Sequence, residues 1–418
     1  MRRTHSKSIL ETFVIDDIEY SITDSKNAIV SKVLSSSKEV EIPSTVLHNE
    51  KEYDIVELGK KCIDESKIAS LSFKSDSKIH TFNKDCLSSK TLFKLTIPNN
   101  LTTLKVDWCN NSRCLSQIQI SDPNDSFCID EKGALFDKDK TTLFFCPRNI
   151  KEYVIPKTVK RIREYAFEQC RVIKSLSFEE GSQIENIDNW AMASTSFPVL
   201  IFPNTIKTIG NNCFFWTKKL MQVSFSEGPN KIESIKNSVF KQSSLKSIEI
   251  PPSVKTLGIG VFQKCANLEK VTLLANNCQI TIGRDCFSDT PETFRLVIFD
   301  SVTLVGDGVP GPELITIIAD DKGVGSIETN SEIGESSHNS EKIKNKEKSK
   351  AEKSKKKDKS RKSEKSKKKS KSEKKSKKVK PYENKSENET KPENEIKSGK
   401  QILGGFNSHI SDSELPSI

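Results

Sequence analysis

Apolar residues recur along this chain at a nearly fixed interval. Isoleucine, leucine or phenylalanine closes a short alternating run at Ile42, Phe73, Ile97, Ile120, Ile155, Phe178, Phe202, Phe225, Ile250, Leu273 and Phe299. Eight of the ten intervals lie between 23 and 26 residues; the other two, 31 and 35, hold insertions near 48–56 and 122–148. A unit this short cannot bury enough apolar surface to offset its own ordering, so units of this kind fold only by stacking on one another. The spacing therefore predicts a solenoid.

The clearest unit runs Leu245, Ile248, Ile250, Pro251, Val254, Leu257, Gly258, Val261, Phe262, and Leu268 opens the next. The I-x-I alternation places Ile248 and Ile250 on one side of a short strand and Glu249 on the other. Proline at 43, 98, 156, 203 and 251 stops the strand, because it has no N–H to give to a ladder. A second extended piece carries Val254 and Leu257, and a turn follows with a small residue before a bulky one. That pair recurs as Cys62-Ile63, Cys86-Leu87, Ala166-Phe167, Ala191-Met192, Cys213-Phe214, Val239-Phe240 and Cys286-Phe287.

The stretch SLKSIEIPPSVKTLGIGVFQKCANLEKV at 244–271 resembles the BspA-like leucine-rich repeats of protists and host-associated bacteria, and GALFDKDKTTLFFCP at 133–147 resembles a hairpin insertion of that family. The resemblance covers about residues 10–300. It implies a curved β-rich solenoid of about ten repeats with short parallel strands, roles in surface attachment or protein binding as an adhesin or antigen, and no catalytic residues.

The expected organisation is an N-terminal hairpin cap over 1–36, the solenoid over 37–300, a closing cap or linker over 301–330, a Lys/Ser/Glu-rich disordered tail over 331–400, and a short terminal segment over 401–418. Charge separates the tail from the rest. Residues 341–380 hold 22 cations against six acids, a balance of +16, so the remainder of this +10 chain sums to −6. Such a segment, with no aromatic residue, is expected to stay disordered and to touch nucleic acid or an anionic surface by charge alone. No run approaches 18 apolar residues and Met1–Ile15 has no unbroken apolar stretch, so neither a transmembrane segment nor a classical signal is expected. The cytoplasm or nucleus is then the expected compartment, and the resemblance adds the cell surface.

The chemical candidates reduce to packing. Eleven cysteines include no CxxC pair; Cys62, Cys86, Cys213 and Cys286 share the small-residue site, where cysteine packs as a small hydrophobe. Gly306, Gly308 and Gly311 spell GxGxxG, but Pro310 and Pro312 remove donors that a phosphate would need. No Ser-His-Asp or Cys-His grouping occurs among five scattered histidines. The expectation is a protein without enzymatic activity, metal or cofactor, which binds a protein partner on the concave face of the solenoid. Outward strand residues Val154, Ser177, Ile201, Ser224, Glu249, Thr272 and Ile298 would line that face, with Tyr165, Trp190 and Trp216 on its rim. Two further readings are a cell-surface adhesin and a nuclear protein that binds nucleic acid through its tail.

Overall fold

The computed structural model describes residues 9–275 and 277–319; the tail, 331–418, lies outside the described residues. The chain coils into successive three-sided turns. The first side carries a strand of four or five residues: β1 Glu39–Ile42, β2 Ser70–Phe73, β3 Lys94–Ile97, β4 Gln117–Ile120, β5 Glu152–Ile155, β6 Ser175–Phe178, β7 Val199–Phe202, β8 Gln222–Phe225, β9 Ser247–Ile250, β10 Lys270–Leu273, β11 Arg295–Phe299 and β12 Ile315–Ile318. The second side carries a shorter strand, such as Thr208–Ile209, Ser234–Ile235 or Thr256–Leu257. The third side is a bend. Among the described residues the one helical element is a 3-10 turn at Pro312–Leu314.

The alternating sequence sets what each strand buries. In β9, Ile248 and Ile250 face inward while Ser247 and Glu249 face out. Phenylalanines from the bends meet in the middle: Phe214, Phe240, Phe262 and Phe287 stack ring on ring at 5.5, 5.7 and 5.6 Å. The bends are also tied by backbone bonds between turns, Met192 N–H to Cys213 C=O at 3.0 Å, Phe214 to Val239 at 2.9 Å, Phe240 to Val261 at 2.9 Å and Phe262 to Cys286 at 2.8 Å. A residue with left-handed φ precedes each small–bulky pair, as at Asp85 (58°), Asn212 (56°), Ser238 (54°) and Asp285 (57°). Short polar residues or glycine suit that conformation best.

Backbone approach is closest where glycines stack. A Cβ on Gly283 would lie 2.5 Å from the Gly258 carbonyl carbon, and one on Gly308 still closer to the Gly283 carbonyl oxygen. The GxGxxG run thus serves turn-on-turn contact.

Prolines decide where the strand face is closed. The last bond of a complete strand pair runs from the residue after one strand to the last carbonyl of the strand before it, as in Ser226 N–H to Phe202 C=O at 2.8 Å or Leu274 N–H to Ile250 C=O at 3.0 Å. After β3, β7 and β9 that residue is Pro98, Pro203 and Pro251, so the donor is missing. Accordingly β8 and β9 pair only at Gln222–Ser247 and Val223–Ile248, and β2 and β3 only at Ser70–Lys94 and Leu71–Leu95. Pro198 also removes the opening donor of β7, and β6 and β7 lie in separate sheets. By contrast β1–β2, β3–β4, β5–β6, β7–β8 and β9–β10 each pair over four residues. Up to β8 the face is therefore built from two-strand blocks, whereas β9 to β12 pair on as one continuous run.

At the N-terminus, within the span expected to be a hairpin cap, Glu11–Ile15 pairs with Ile18–Ile22 in a hairpin turned at Asp16 and Asp17 in left-handed conformation, and Asn27–Val33 adds a third strand. The first insertion forms the hairpin Thr45–His48 with Lys51–Leu58. The second forms a meander of Phe127–Ile129, Leu135–Asp137 and Thr142–Phe145, whose last strand opens the second-side ladder by pairing with Arg161–Ile162. Two apolar clusters meet there, Leu135 and Phe145 belonging to the N-terminal one and Phe136, Leu143 and Cys146 to the C-terminal one. At the far end Thr303–Val305 and β12 continue both ladders.

One residue of the expected face must be reassigned. Val297, not Ile298, stands opposite Thr272, and Ile298 is 6% exposed with the core. In Leu296-Val297-Ile298-Phe299 every residue is apolar, so alternation gives no register there, and a slip of one position exchanges the faces.

Candidate interaction face

Within each paired block of β5 to β10 the outward residues stand about 4.8 Å apart from strand to strand. Val154 and Ile201 stand out from it, 53% and 56% exposed, and Val199 lies beside Ile201 on the same face of β7. Ser177, Ser224 and Glu249 occupy the equivalent outward sites of β6, β8 and β9, while Thr272 is buried. The missing bond between β8 and β9 opens a groove of about 460 Å³ lined by Ser224, Phe225, Glu227, Asn230, Glu249 and Lys270. Two of the expected face residues, Ser224 and Glu249, are therefore walls of a cleft.

The aromatics lie along the bends. Tyr165 and Trp190 take the left-handed site before the small residue (φ 61° and 58°), which carries a strain cost of about 1–3 kcal/mol for side chains of that size. They stack on each other at 6.4 Å with planes 7° apart, and Phe215, which the sequence reading did not single out, meets Trp190 edge-on at 5.3 Å. Trp216 is the most exposed of them, with the Arg171 guanidinium 5.3 Å from its ring centre.

A buried cation, Arg148, joins the two halves beneath this surface. Its guanidinium donates to the carbonyls of Ala166 (2.9 Å), Tyr165 (3.1 Å) and Cys146 (3.3 Å), and its Nε to that of Ser112 (3.4 Å). Phe145 lies under it at 4.3 Å. Glu168, also buried, accepts from the Asn111 N–H at 3.1 Å, and burial raises its carboxyl above the ordinary range although Arg148 pulls the other way. Nothing in the repeat pattern marks either residue.

Eight of the eleven cysteines are buried, and none is in a disulfide. Burial pushes the thiols of Cys62, Cys109 and Cys286 up to about 12, which leaves them protonated and unreactive. Cys170 differs: burial alone would raise it, but its hydrogen bond with Cys146 and the Arg148 guanidinium hold it below the ordinary range. Among the described residues no three His, Cys, Asp or Glu side chains gather as a metal set, and no helix is long and apolar enough to cross a membrane.

Comparison with known proteins agrees with this architecture. Residues 19–130, 140–269 and 185–309 match the BspA type leucine rich repeat region, in six copies. Solved structures similar to this chain include a leucine-rich repeat protein of Eubacterium ventriosum (16% identity, 66% of this chain and 94% of that one, TM-score 0.48). Others are the pneumococcal vaccine antigen PcpA (18%, 75% and 99%, TM-score 0.40) and a leucine rich cell surface protein of Faecalibacterium prausnitzii (14%, 72% and 96%, TM-score 0.35). No curated protein matches the chain.

Proposed function

Because this chain belongs to the BspA-type leucine-rich repeat family, we propose that it is a non-catalytic interaction scaffold whose strand face takes up a protein partner. The observation that carries this reading is the exposure of Val154, Val199 and Ile201 on ordered strands. Branched apolar side chains held out on a rigid surface gain nothing from water, and they lose their exposed area when a partner covers them. The two-strand blocks add relief to the face, with a cleft beside Ser224 and Glu249 that gives a partner more than a flat sheet to grip.

Affinity capture with the full chain from its native cells tests the reading, with Ile201→Asp and Val154→Asp as the comparison. Both positions are exposed, so each variant is expected to keep its stability within about 0.5 kcal/mol. The expected result is loss of at least one specific partner at constant fold. An unchanged set of partners with both variants would refute the strand face as the binding surface.

A further inference from the structure

We infer that the edge where the bends run into β4–β9 is a docking ridge for an acidic, apolar-containing segment of a partner protein. The ridge carries Arg113, Arg171, Lys174, Lys218, Lys219 and Lys246, all exposed. Among the described residues none of the six is within 4 Å of a carboxylate. On the other side of the same turns some cations are paired within the fold, Arg161 with Asp188 at 2.8 Å and Lys207 with Glu185 at 3.0 Å, and Lys231, Lys236 and Lys255, unpaired among the described residues, serve as a comparison. The clustering is also spatial. Arg171, partly desolvated and in the field of Arg113, is held below its ordinary range although the buried Glu168 pulls the other way.

Exposed like charges that outnumber the acids beside them oppose folding and favour an anion from outside. Arg113 precedes β4 and Lys246 precedes β9, so the ridge runs along six successive turns. The ridge also distinguishes among anions. Val172, Val199 and Met221 lie exposed between its cations, and Trp216 is its one exposed aromatic ring. Aliphatic and thioether side chains set among the cations are matched by the apolar residues of a polypeptide, which a polysaccharide does not supply.

This inference rests on the strand-face reading, since the same partner would be held by β7 and by the adjoining ridge. The test uses the full chain and a synthetic peptide of Glu-Glu-Leu triplets, about 20 residues long. Lysine acylation is read residue by residue by mass spectrometry, so the lysine-rich tail does not obscure the ridge. The peptide is expected to protect Lys174, Lys218, Lys219 and Lys246 several-fold and to leave Lys231, Lys236 and Lys255 unchanged. Reversal of the ridge (Arg171→Glu, Lys174→Glu, Lys218→Glu) should weaken that protection at Lys219 and Lys246 about tenfold and abolish it in 0.5 M salt, whereas Lys231→Glu, Lys236→Glu, Lys255→Glu should not. No protection of the ridge by the peptide, equal behaviour of the two triple variants, or protection by heparin or duplex DNA alone would overturn the proposal. Cellular partners lost on Ile201→Asp but retained on ridge reversal would remove this inference and leave the strand-face reading standing.

Discussion

Phe240→Ala is expected to destabilise the folded chain by about 3–5 kcal/mol, measured as a shift in the denaturant midpoint at unchanged slope near the native conditions. The ring is fully buried and touches Phe214 on one side and Phe262 on the other. Collapse of the cavity is opposed by the backbone bonds that fix turn spacing, Phe214 to Val239 and Phe240 to Val261. A cavity that cannot close retains most of its cost. In a stack of nearest neighbours the loss also weakens both flanking turns, so it is felt well beyond its own repeat. Exposed Val154→Ala, on the same scale, should stay within about 0.5 kcal/mol.

Arg148→Ala is expected to cost a similar amount, about 3–5 kcal/mol, for a different reason. The substitution removes the donors that serve the carbonyls of Ser112, Tyr165 and Ala166, and the bonds to Ser112 and Ala166 are buried. It also leaves Glu168 buried without the nearby cation that offsets its desolvation. Because Glu168 has a raised carboxyl in the folded state, the native protein holds more protons than the unfolded chain between the two pKa values. Its contribution therefore opposes folding at high pH and fades as pH falls through the folded value towards the unfolded one. Loss of Arg148 should enlarge that dependence, so the variant is hurt more at pH 8 than at pH 4. Glu168→Gln in the Arg148→Ala background should restore part of the loss at pH 8, which a double-mutant cycle measures. Since Arg148 ties Ser112 to Tyr165 across the insertion, denaturation of the variant should also separate into two steps. A single step with no pH dependence would show that the two halves are coupled through the apolar core alone.

The repeat was legible because it rests on the most reliable sequence signal, apolar periodicity. The I-x-I strands, the small–bulky pair in the bend and the buried cysteines follow from it residue by residue. The prolines were legible as strand ends, but their larger consequence required register: a proline after one strand silences the last carbonyl of the strand before it. That is why β8 and β9 part at Ser224 and Glu249. Register failed where the pattern lost contrast, at Val297 and Ile298, since four apolar residues in a row alternate with nothing. Of the candidate face, Val154 and Ile201 could be named from alternation, whereas the cleft depends on contacts between turns. Arg148 and Glu168 were hidden for the same reason. Both are single residues outside the repeating columns, and their partners come from turns 17 to 57 positions away.

Amide hydrogen exchange on the full chain addresses the shared stack directly. The bends have no strand or helix of their own, so in an isolated loop their amides would exchange fast. Here Phe214, Phe240 and Phe262 each donate to the neighbouring turn, and their amides should exchange as slowly as those of Ile248 and Val271 in the strands. Fast exchange at these three phenylalanines, with protection confined to the strands, would mean that the turns do not share one continuous core.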